Sequence, residues 1–161
     1  MNIETTGKAA ATQASAKAAG TVDRAARLSL LWVFALFNYL YCDVLGLMDP
    51  HSLKGYINGN VGGIEITSGF LLSAAILMEI PISMVLLSVV LPHPASRWAN
   101  IIAGTIMTVV QVASLFAGSG PTAYYVFFSA IEIACTAYIV WYAWHWRRLD
   151  EPRPVEAGDP A

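Results

Sequence analysis

The chain has 161 residues, of which 57% are hydrophobic and only 12% charged, with a formal net charge of -2. A mean hydropathy of +0.56 is too high for an ordinary soluble domain, and the length excludes two large domains. One all-α membrane domain with polar tails is the natural reading, and the charge pattern makes no basic surface for nucleic acid.

Residues 1–27 are rich in Ala, Thr, Ser and Gly, with Lys8, Lys17, Arg24 and Arg27 scattered among them. They read as a disordered, in part helical, cytoplasmic tail. A transit or signal peptide fits less well, because Glu4 and Asp23 are acidic and no A-x-A site follows the first apolar run.

The first span is predicted at 28–48, with Trp32 near one interface and Tyr39 and Tyr41 toward the other. Asn38 falls near its middle and Asp43 in its second half. Five residues apart, they differ by about 140° around a helix and cannot share a narrow face. Asn38 aligns with Cys42, and Asp43 with Tyr39 and Gly46.

Asp49, Pro50 and Gly59 then mark a short surface helix, since Asp is a good N-cap, Pro suits the first turn and Gly the end. Leu53, Tyr56 and Ile57 would lie on its membrane face. Asp49, His51 and Glu65 match no metal-ligand spacing, and capping and solvation account for them. The flexible NGNVGG leads into the second span, where Thr67 or Ser68 stands near the helix start.

That second span, 65–91, is the most apolar stretch, yet it carries Glu79 and Pro81 near its centre. At roughly 40 Å as an ideal helix it is longer than the hydrocarbon core, so it should tilt or kink. Pro81 has no N–H for the carbonyl of Leu77, and Glu79 and Ser83 are the nearest groups able to compensate. A mid-membrane carboxyl costs about 3 kcal/mol on insertion scales, so Glu79 demands an explanation.

PHPASRW turns the chain into a third span, 97–118, with Ser96 as its cap and Trp98 at the interface. Asn100, Gly104, Thr108, Gln111, Ser114 and Gly118 recur at steps of three and four, making one small and polar stripe that should face protein. Ile101 lies off that stripe, toward lipid. The fourth span, 122–146, places Tyr125, Ser129, Glu132 and Thr136 on one face with Cys135 beside them. It ends in WYAWHWRR, an aromatic belt with basic anchors. Residues 149–161, with three prolines and four acids, read as a disordered cytoplasmic tail.

Eight of the nine Lys and Arg lie in the two tails and the connection around Arg97, and only Lys54 lies in the first connection. Both termini are therefore expected in the cytoplasm. In that topology Asn38, Glu79 and Glu132 share a depth near the midplane, with Asp43 and Gln111 in the outer half. No Lys or Arg falls within the apolar spans. Glu79 and Glu132 are therefore expected to be coupled and mostly neutral, donating to each other, to Asn38 or to the carbonyl freed by Pro81. The alternative is local bonding, Ser83 serving Glu79 and Ser129 or Thr136 serving Glu132. Asn38, Asp43, Glu79, Gln111 and Glu132 form the candidate intramembrane polar site.

Cys42 and Cys135 make no C-x-x-C pair and read as small buried hydrophobes. The three histidines lie at turns or near the last interface, which gives no support to haem or a di-metal centre. There is no phosphate-binding Gly loop and no G-x-S-x-G elbow, so no catalytic, cofactor-binding or metal set is expected.

The segments LYCDVLGLMDP, GFLLSAAILMEIPISMVLLS, RWANIIAG and PTAYYVFFSAIEIACTAYIVWYAW resemble a small bacterial family of four-span membrane proteins catalogued as a domain of unknown function. The likeness covers residues 28–146, and M-E-I-P and R-W-A-N are its most specific parts. It implies a four-helix fold and brings no activity, substrate or catalytic residue. The size and four-helix layout are also loosely similar to DoxX-like membrane proteins.

Three function classes follow. One is proton- or cation-linked binding or transport of a small molecule through the buried carboxyls. Another is an accessory or assembly subunit whose polar stripes hold helices, a second copy or a membrane partner protein. The third, a membrane enzyme or a DoxX-like redox-associated protein, lacks a nucleophile with its base or a cofactor motif. The expected location is the bacterial inner membrane, with the lipid bilayer as the first partner.

Overall fold

The computed structural model describes residues 3–61, 63–117 and 121–146. Its elements follow in the order α1 (Ile3–Met48), α2 (Pro50–Ile57), β1 (Asn60–Val61), β2 (Ile64–Glu65), α3 (Ser68–Val90), α4 (His93–Ser114) and α5 (Ala123–Trp144). Three segments are long and apolar enough to cross a membrane: Val22–Met48 within α1, Ser68–Val90 and Ala123–Trp144.

α1 corrects the expectation of a disordered first 27 residues, because the helix starts at Ile3 and runs unbroken into the apolar segment. The helical part of that expectation prevails because Ala, Lys and Arg are good helix formers, and the packed apolar half supplies the costly nucleus. Arg27 pairs with Asp23 one turn back at 2.9 Å. The tail at 149–161, the span limit at 118 and the domain limit at 148 lie outside the described residues.

The short surface helix forms where expected. Asp49 caps α2, accepting from the Ser52 backbone N–H at 3.0 Å and the Ser52 hydroxyl at 2.7 Å. These bonds hold its carboxyl below the usual carboxylate range. Gly59, at φ 71, makes the left-handed exit. Beyond it Asn60 pairs with Glu65 and Val61 with Ile64 in a two-strand antiparallel ladder. Glu65 therefore belongs to this ladder and not to the second span. α3 begins at Ser68, with Thr67 Oγ1 accepting from the Phe70 N–H at 3.1 Å, and continues through the buried Pro81.

α4 starts earlier than the cap reading placed it. Pro92 occupies the N-cap position and a further proline lies in the first turn, where a fixed φ favours helix entry and the missing N–H costs nothing. Ser96 is consequently inside the helix and buried, and its hydroxyl donates to the carbonyl of Ser88 at 3.0 Å.

The four long helices pack in a closed ring, α1 on α3, α3 on α4, α4 on α5 and α5 on α1, with α2 beside the end of α1. Directions alternate. Ser29 near the membrane entry of α1 donates to the carbonyl of Val85 near the end of α3 at 2.7 Å, and Arg97 at the start of α4 reaches the carbonyls of Ala143 and Trp144 at the end of α5, each at 3.2 Å. Leu28, Trp32, Ala35, Tyr39, Cys42 and Gly46 are all buried, at alternating steps of four and three that keep one seam of α1 inward. Ser129, Glu132, Thr136, Ile139 and Ala143 form the matching seam of α5. Large apolar side chains such as Phe37, Leu72, Leu86, Ile102, Val109 and Phe127 point outward.

Candidate functional site

The polar groups between α4 and α5 bond to one another. Gly104 lets the two helices approach so closely that an added Cβ would lie 2.8 Å from Val140 Cγ2 and 3.3 Å from the Thr136 carbonyl. One turn on, the Thr108 and Thr136 hydroxyls lie 2.7 Å apart, and Thr136 donates to the Glu132 carbonyl at 2.9 Å. The next turn carries Gln111, whose Nε2 donates to Ser129 Oγ at 2.8 Å. Tyr125 then donates to Ser114 Oγ at 2.7 Å. Expected from sequence as one stripe, these groups work as paired contacts that close the interface. Ile101, expected toward lipid, is buried at 8% exposure, whereas Ile102 is 56% exposed. The inward arc of α4 is broader than the stripe because α1 and α3 also pack on it.

A second polar cluster went unrecognised in the sequence. The Trp32 indole N–H donates to Asn100 Oδ1 at 2.7 Å, and the Ser88 hydroxyl lies 3.1 Å from the same oxygen. Asn100 Nδ2 in turn donates to the Ser96 carbonyl at 2.8 Å. Trp32 is thus fully buried and joins α1 to α4, instead of marking a membrane interface. An aromatic interface pattern and a core tryptophan look alike in sequence, and the signal available was only the recurrence of Asn100 on the polar stripe.

Glu132 differs from both clusters. It holds a core position of α5 between Ser129 and Thr136 and is 1% exposed, yet neither carboxyl oxygen has a hydrogen-bond partner. The hydroxyls expected to serve it are turned elsewhere, Ser129 accepting from Gln111 and Thr136 donating to the backbone. The Tyr39 hydroxyl of α1 is also buried without a partner, and Glu132 lies within electrostatic range of it. Asp43 lies within range of Glu132 as well. Native proteins rarely bury such groups unmatched, and an orphaned carboxyl beside an orphaned phenol marks a place for a proton, a water or a ligand.

The five candidate residues therefore separate. Glu132 and Gln111 are buried on the ring's interior, Gln111 satisfied and Glu132 not. Asn38 is buried but donates back to the Phe34 carbonyl at 2.8 Å. Asp43, next to the buried Cys42, is exposed. Glu79 is exposed too and takes only the Ser83 hydroxyl at 3.2 Å, so the expected Glu79–Glu132 pair does not form. Equal depth brings two residues together only when their helix faces also meet, and α3 and α5 sit across the ring. Cys42 and Cys135 are buried free thiols. Among the described residues no three His, Cys, Asp or Glu side chains converge as a metal site.

A family model described as a family of unknown function, DUF6326, matches residues 20–151. The chain belongs to this family. The match covers α3, α4, α5 and the apolar part of α1, so the Glu132 site of this DUF6326 chain lies within the family's own segment. No curated protein and no solved structure matches the chain, and the comparisons give no DoxX-like relative.

Proposed function

We propose that the chain is a multi-pass protein of the bacterial inner membrane, a four-span bundle with cytoplasmic ends, in which Glu132 takes up and releases a proton that crosses the membrane. α4 joins the three more apolar segments as the third of four spans in chain order. Its polar groups Ser96, Asn100 and Gln111 are buried, while Ile102, Ile106 and Val109 are exposed, so a modest average hydropathy conceals an apolar outer face. Twenty-two residues give about 33 Å of helix, enough for the hydrocarbon core. Four crossings return the chain to its starting side, in keeping with the Lys and Arg in both tails.

The observation that carries the proton reading is Glu132 itself, the core carboxyl whose two oxygens are both unbonded. An assembly role accounts for Thr108–Thr136, Gln111–Ser129 and Trp32–Asn100, all of which are satisfied pairs. It gives no reason to keep an acid at the α1–α5 seam, where a neutral residue would pack at lower cost. The cations within the spans, Arg24, Arg27 and Arg97, stand at the starts of the apolar part of α1 and of α4, away from the level of Tyr39 and Glu132, so a mobile proton is the simplest partner.

The test is proton uptake into proteoliposomes holding a trapped pH indicator, driven by a valinomycin-clamped potassium gradient. The wild type should acidify the lumen, Glu132→Gln should not, and Glu79→Gln should retain uptake. Wild-type vesicles no different from empty ones would overturn this reading and leave the accessory-subunit reading, which the satisfied interhelical pairs favour.

A further inference from the structure

Glu79 raises a separate question, because it lies at the midpoint of α3 (Ser68–Val90) and points away from the bundle. The buried side of α3 is Pro81, Met84 and Ser88. Ser88, nine residues on, lies about 180° around the helix from Glu79. On the Glu79 face stand Leu72, Ala75, Ile76, Ile82 and Leu86, all exposed, and Pro81, Met84 and Ser88 are the only buried residues of α3. A carboxyl at mid-span, facing outward among these side chains, would meet lipid tails. Lipid offers it no hydrogen bond, and a glutamate stem is too short to carry it from mid-span to the interface.

We infer that the outer face of α3 docks against the same face of a second copy of this chain, with the two Glu79 carboxyls meeting across a two-fold axis. The chemistry of the group selects this occupant. A carboxylic acid is donor and acceptor at once, so an identical group at the same depth completes its hydrogen bonding without any cation. Two copies inserted in the same sense place their Glu79 residues at one depth automatically, and a symmetric pair of crossing helices brings equivalent residues together at the crossing point. The Ser83 hydroxyl, already 3.2 Å from Glu79 Oε1, supplies a further donor on the same face. Small Ala75 beside the glutamate lets the backbones approach.

The inference rests on α3 crossing the membrane and is independent of Glu132 taking up a proton. The test is photo-crosslinking in bacterial membranes, with a benzophenone amino acid placed singly at Leu72, Ile76 or Leu86, and at Ile102 and Phe127 as outward-facing controls on the other helices. The α3 positions should give a product of twice the 17.4 kDa chain mass, and the controls should not. Glu79→Gln should keep the product, since a primary amide is also self-complementary, and Glu79→Leu should lower it several-fold while the protein stays in the membrane fraction. Monomer alone, a product containing a different protein, equal yield at the controls, or an unchanged yield in Glu79→Leu would each overturn the dimer. Release of the chain by alkaline carbonate would remove the spanning premise and the dimer with it. Loss of proton uptake in Glu132→Gln has no bearing on any of these outcomes.

Discussion

At the level of single residues, burial alone does not separate structural from functional polar groups; satisfaction does. Asn100 and Glu132 are equally hidden, but Asn100 accepts from Trp32 and donates to the Ser96 carbonyl, whereas the Glu132 oxygens stand unbonded. Replacing Asn100 by Leu should strand the Trp32 N–H and cost roughly 1–3 kcal/mol. Adding Trp32→Phe should recover part of that loss, because the orphaned donor leaves with the indole. A double-mutant cycle by denaturant unfolding in detergent measures this, and strictly additive losses would show that the bond contributes nothing. Asp49 gives a pH prediction. Its folded carboxyl is held low by Ser52, so the capping contribution is complete above the unfolded value of about 4 and is lost as pH falls through the lower folded value. The protection factor of the Ser52 amide, taken against an unstructured peptide at the same pH, should fall on acidification through that range, and Asp49→Ala should show the low protection at neutral pH already.

The interface between α4 and α5 is the element on which the ring most depends for close approach. Gly104→Leu drives a side chain into Val140 and the Thr136 backbone, and the second of these cannot yield without moving α5. Overpacking of this kind costs about 1–3 kcal/mol or more. Ile102→Leu, on the exposed side of the same helix, conserves volume and should be nearly neutral. Thermal unfolding of the two variants in detergent should differ clearly, and equal midpoints would mean that the helices do not meet at Gly104. α3 is the opposite case. It contributes few buried side chains to the ring and keeps an acid on its outer face, which is why its second surface invites a partner.

For the whole molecule, the four-span bundle proposed above puts both ends on one side of the membrane. Single-cysteine probes at Ser15, before the apolar part of α1, and at Ser52 in α2 should label from opposite sides of the membrane in a background lacking Cys42 and Cys135. A Ser15 probe that reacts with an impermeant reagent in intact cells would reverse the orientation, and equal labelling of both would break the topology. The ring also keeps the Glu132 site and the Glu79 face apart, so variants at one should leave the readout of the other unmoved.

The apolar runs, the Asp49 cap and the small-residue stripe of α4 were legible in the sequence, because each depends on neighbours within a turn or two, while the choice between Thr67 and Ser68 at the start of α3 was left to the structure. The membrane character rests on composition in the same way. What the sequence left open was which faces meet. Periodicity puts Ser129, Glu132 and Thr136 on one side of a helix, but the partners of that side lie on α1 and α4, far along the chain. Only the packed ring turned Trp32 inward to Asn100, gave Ser129 to Gln111 instead of Glu132, and set Glu79 on the outside. Hydrogen bonds between distant segments are chosen by helix rotation and order around the ring, and neither quantity is written in local spacing.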